Sequence, residues 1–151
     1  MKLRLPHFSM LVLAGLVVGC GSSSDDVSGT WIGTDTRTGL AALTDTVTLQ
    51  GNSNAISGTF VATLNGVATY SGTITGTFSK PTFQFTVTVP NGSVANEPNC
   101  SLGILGTGTY VKSGGAYTGA SKTLSGSLTV TPTGDCSIGS TAMVDTFSWT
   151  Q

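Results

Sequence analysis

Asp45 and Asp145 each interrupt an apolar face. Leu43, Asp45, Val47 and Leu49 alternate with Thr44, Thr46 and Thr48, and Met143, Asp145, Phe147 and Trp149 alternate in the same way. No other charged residues are expected on the apolar faces. Two carboxylates turned inward could raise each other's pKa and work as an acid/base pair. They could equally be structural groups at the wet rim of a fold. The remaining catalytic inventory is thin. The single histidine, His7, lies near the N-terminus, so Ser-His-Asp and Cys-His machinery and His-based zinc sites are excluded from the body of the chain. No glycine loop ends in the Lys-Ser/Thr of a phosphate site. Nothing places Lys80, Lys112 or Lys122 beside an activated serine. The expectation is a protein that is not an enzyme, with no cofactor and no metal.

The N-terminus says where the chain works. Lys2 and Arg4 precede an apolar run from Met10 to Val18, closed by Gly19 and Cys20. That is a secretion signal, too short for a permanent membrane helix. Its end resembles the lipobox of bacterial lipoproteins. The resemblance implies cleavage before Cys20 and lipidation (palmitate among the acyl groups) of that cysteine. It divides the chain into a signal peptide over 1–19, a lipidated cysteine with a polar tether over 20–26, and a domain over 27–151. Gly21, where an Asp would favour inner-membrane retention, implies the outer membrane. The expected partner is therefore a membrane, reached through the lipid.

Beyond the leader, Arg37, Lys80, Lys112 and Lys122 are the only basic residues, against seven acids. No basic patch exists, so nucleic acid is not an expected partner. Charged residues make up only 9% of the chain, but hydrophobic residues make up 38%, which argues against disorder. Threonine and serine carry the polarity, and threonine also favours strands. With Cys20 taken by lipid, Cys100 and Cys136 are expected to pair in an oxidising compartment. Closing such a loop contributes on the order of 4 kcal/mol.

Period-two alternation recurs over 27–35, 43–50, 55–64, 67–78, 82–89, 104–111, 116–131 and 141–150. The reading is eight strands and an all-β, antiparallel, up-and-down barrel with no helix. Repeated glycines on the apolar faces supply curvature. The links at 36–42, 90–101 and 132–140 are long, and chain parity puts them at the end away from the tether. Cys100 and Cys136 then fall in loops at that same end, two loops apart. Trp31 and Trp149 become neighbours across the closing seam.

Gly29-Thr30-Trp31 at the head of the first strand resembles the Gly-x-Trp opening of lipocalins and the Gly-Thr-Trp opening of avidins, eight-stranded barrels with a ligand cup. The resemblance implies a structural plug for Trp31 at the barrel base. The last strand lacks the Arg that lipocalins usually pack on that Trp. Six rings, those of Phe60, Tyr70, Phe83, Phe85, Tyr110 and Phe147, are expected to face inward. A small hydrophobic ligand would meet Phe60, Tyr70 and Tyr110 with Asp45 and Asp145, entering near 36–42 and 90–101. The alternative is a filled barrel with no ligand, serving as a structural or protein-interaction module of the envelope.

Overall fold

Alternating apolar and hydroxylated residues have one low-energy arrangement, a sheet with one dry face. Here the sheet closes on itself. The computed structural model describes residues 26–52, 55–114 and 120–151. The leader, Cys20 and most of the tether lie outside the described residues.

Eight strands follow in order: β1 (Gly29–Thr36), β2 (Leu43–Asn52), β3 (Ala55–Leu64), β4 (Val67–Ser79), β5 (Thr82–Val89), β6 (Cys100–Ser113), β7 (Ser121–Gly134) and β8 (Met143–Thr150). Each pairs antiparallel with the next, and β8 returns to β1, giving a closed meander barrel. Among the described residues there is no helix. Closure leaves no free sheet edge.

Two strands reach further toward the long connections than the alternation suggested. β6 begins at Cys100 rather than 104, because Cys100 and Leu102 continue its inward face. β7 runs on through Pro132 to Gly134, opposite Leu102 and Cys100. The expected disulfide is present, with the two Cα atoms 4.8 Å apart. It does not join loops two apart. Cys100 opens β6 and Cys136 lies just beyond the end of β7, so the bond ties neighbouring strands at the mouth.

The long connections 37–42, 90–99 and 135–142 all lie at one end, here called the mouth. Asn65 and Gly66 make the fourth link there, with φ of 52° and 80°, the left-handed pair of a two-residue hairpin. At the opposite, lower end the Trp31 indole donates to the Val27 carbonyl at 2.8 Å. Lys122 donates to the Asp26 carbonyl and Gln151, while Gln151 donates to Ser28. These contacts hold the entering strand against the last one. Trp149 does not meet Trp31 in register. It faces Gly33, one inward position higher.

Inward glycines and rings are paired across strands. Phe60 faces Gly72, Phe83 faces Gly108, Phe85 faces Gly76 and Gly106, Phe147 faces Gly126 and Trp149 faces Gly33. At Gly106 the Phe85 ring, and at Gly108 the tip of Phe147, stand where a Cβ would go, whereas at Gly33, Gly72, Gly76 and Gly126 the facing backbone comes that close. Glycine thus admits both close strand approach and aromatic carbon, and the middle of the barrel is packed.

Candidate functional site

The open space lies at the mouth, where β4 changes partner. A bulge at Thr69 shifts its register against β3 between Ala62 and Thr63. Above the β4–β5 ladder, Ser71 donates to the Ser93 carbonyl, and Ala95 donates to Thr69. The 90–99 connection is thus stitched to β4 and carries Val94 over the opening. The 135–142 connection is fixed by the disulfide and by Ser137, whose backbone N–H and hydroxyl both donate to Glu97. Together with 37–42, these segments rim a cup of about 420 Å³.

Its wall is aliphatic, with Leu40, Leu43, Leu64, Val94, Leu102 and Ile138 contributing. Leu40 is 62% exposed and Ile138 46% exposed, although both project from a domain whose other apolar side chains are mostly inside. Its floor is polar: Asp35, Tyr70, Arg37 and Asp145 line it.

That floor is layered by strand register. Lowest is Asp45, fully buried beside Gly33 on β1. Trp149 flanks the same glycine from β8, and its indole Nε1 donates to Asp45 Oδ2 at 2.8 Å. A Cβ on Gly33 would lie 1.8 Å from the Ser148 carbonyl oxygen, so the close approach of β1 to β8 requires glycine. The other Asp45 oxygen, Oδ1, has no hydrogen-bond partner among the described residues. One position higher sits Asp35, 3% exposed, whose Oδ2 accepts from the Tyr70 hydroxyl at 3.3 Å. Higher still, Arg37 grips Asp145 with two parallel bonds, Nε to Oδ1 at 2.5 Å and Nη2 to Oδ2 at 2.6 Å.

Burial dominates the electrostatics. It pushes the Asp45 carboxyl up to about 7; the Trp149 hydrogen bond opposes this, and the charges of Asp35 and Asp145 add to it. Asp35 rises to about 6 through burial and the neighbouring Asp145 charge, with the Tyr70 hydrogen bond and Arg37 opposing. Burial, then Asp35, lifts the Tyr70 hydroxyl above its ordinary range. Arg37 is raised, chiefly by its hydrogen bonds to Asp145. Chemically, the floor can hold a proton near neutrality or receive a positive charge.

Of the residues the sequence singles out, Tyr70 and Asp145 line the cup. Asp45 lies one layer beneath it. Phe60 is buried and stacked on the Tyr70 ring at 5.9 Å, so it supports the floor from below. Tyr110 is at the other end of the barrel, edge-on to Phe78 and under Lys80. Asp45 and Asp145 both face inward and the Asp145 charge helps raise Asp45, but the two do not bond to each other: Asp145 is held by Arg37, and Asp35 acts more strongly on Asp45. Asp35 and Arg37 were missed. Asp35 was legible, since Val27, Gly29, Trp31 and Gly33 set the inward alternation and Asp35 is its next member. Arg37 lies past the end of β1, where alternation carries no information.

No protein-family model, curated protein or solved structure matches the chain at a significant level.

Proposed function

We propose that this chain is a non-enzymatic, lipid-anchored binding protein of the bacterial cell envelope that takes a small hydrophobic ligand into the mouth of its barrel. The cup carries the reading. About 420 Å³ lies within the range of small-molecule sites, and an apolar wall over a few converging polar groups is their usual make-up. Exposed Leu40 and Ile138 at its rim are stabilised by a ligand that covers them. The lipocalin-like element of the proposal rests on the eight-stranded barrel and on Trp31 closing its base. The anchor rests on the leader and Cys20, and the outer membrane on Gly21. The threonine-rich outer wall around an apolar interior suits a barrel standing in water, since a membrane-spanning barrel turns its apolar band outward.

The ring-filled middle of the barrel favours a second reading, a structural or interaction module with no ligand. A neutral apolar fluorophore separates the two. Phenylnaphthylamine titrated into the protein is expected to bind saturably at one site. Replacing Leu40 and Ile138 together with Asp should weaken it at least about tenfold, as loss of two aliphatic contacts implies. Linear, unsaturable fluorescence, unchanged in the variant, would leave the filled module as the better account.

A further inference from the structure

The distribution of charge over the barrel is lopsided. Lys80 sits over Tyr110 at the lower end, Lys122 is bonded to Asp26 and Gln151 there, and Lys112 faces Lys122 across β6 and β7. Among the described residues the mouth has one basic side chain, Arg37, against Asp35, Asp45 and Asp145, with Glu97 on the rim. Arg37 spends both of its carboxylate-directed nitrogens on Asp145. Asp35 faces the cup with a single side-chain partner among the described residues, the neutral phenol of Tyr70, at a long 3.3 Å. Beneath it Asp45, 0% exposed, keeps one oxygen unpartnered. An apolar cup therefore ends on a carboxylate to which no cation among the described residues is hydrogen-bonded, although the charge of Arg37 reaches it.

We propose that the ligand of this cup is an apolar amine, its ammonium group set against Asp35 and its hydrocarbon body against Leu40, Val94 and Ile138. The proposal rests on the cup reading above and names the ligand's chemical class. An ammonium supplies the charge-assisted donors that Asp35 lacks and that Tyr70 replaces poorly. A carboxylate ligand would have to displace Asp145 from Arg37 and would meet Asp35 and Glu97 as like charges. A hard divalent cation needs six or more oxygen ligands, whereas the wall here is aliphatic. The acidic mouth also attracts cations at a distance.

The test uses one hydrocarbon body with three heads. Phenylbutylamine, phenylbutanol and phenylbutyrate are titrated calorimetrically into the full-length chain in lipid nanodiscs, with empty nanodiscs as the blank. At pH 8 the amine is expected to bind at least about tenfold tighter than the alcohol, as a charge-assisted hydrogen bond gives. That ratio should shrink toward pH 5, because protonation of Asp35, whose carboxyl is pushed up to about 6, removes the countercharge. The groups facing Asp35 are Tyr70, Asp45, Asp145 and Arg37, and only a loss of carboxylate charge gives this sign. In Asp35→Asn the ratio should fall to about one; should that variant not fold, the pH dependence of the wild-type ratio decides. Equal binding of amine and alcohol, a ratio flat with pH, or tightest binding of phenylbutyrate overturns the amine proposal while leaving the cup. Failure of all three to bind overturns both.

Discussion

Asp45 holds a carboxylate where water cannot reach it, and the consequence is a stability that depends on pH. Its carboxyl ionises near its ordinary 3.8 in the unfolded chain but only at about 7 in the barrel. Between those values the unfolded state has released a proton that the folded state keeps. Stability is therefore fully present below about pH 4 and drains away as pH rises to about 7, by an amount on the order of 2–4 kcal/mol. Asp35 acts with the same sign up to about 6. Asp45→Asn keeps an oxygen for the Trp149 indole and abolishes the ionisation. Urea unfolding should find the variant close to wild type at pH 4 and more stable at pH 8. A gap that does not widen with pH would show that Asp45 is not the titrating group. Asp45 and Asp145 were visible in the sequence because a charge on an alternating apolar face is conspicuous. Which of them pairs with what was not, because Arg37 reaches Asp145 from a residue 108 positions away in the chain.

At the scale of the strand, the barrel depends on glycines that permit contact. β1 meets β8 over fewer residues than most other neighbours, and Gly33 lies within that pairing. Gly33→Ala sets a methyl group against the Ser148 carbonyl and the Trp149 Cα, both backbone, so neither can rotate aside. The expected loss is at least about 3 kcal/mol, with the damage concentrated at the β1–β8 seam. Hydrogen exchange should show β1 and β8 amides losing protection before those of β6 and β7. Uniform loss across all strands would contradict the special role given to this seam. The eight strands were legible because hydroxylated and apolar residues alternate so regularly. What alternation did not convey was the use of the inward glycines. Read alone they suggest either curvature or empty space; only the register shows Phe60, Phe85, Phe147 and Trp149 lying opposite them. The early start of β6 was missed because the Pro and Asn residues of 90–99 hide where alternation resumes.

For the whole molecule, chain parity does most of the organising. An even-stranded meander puts both termini at one end and the long connections at the other. The lower end, with Trp31 buried in it and three lysines about it, is where the described chain begins at Asp26. Under the lipid anchor proposed above, the mouth with its cup and carboxylates would be presented away from the membrane. The position of the mouth was readable from loop lengths. Its contents were not, since the cup wall is assembled from Leu40, Val94 and Ile138 in three separate connections that have no period to read. Native mass spectrometry of the protein recovered from its own cell envelope tests the account most directly. We predict a chain beginning at a lipid-modified Cys20 and carrying one noncovalent adduct of a few hundred daltons, lost on denaturation. A chain without any such adduct, which also takes up no apolar probe, would contradict it.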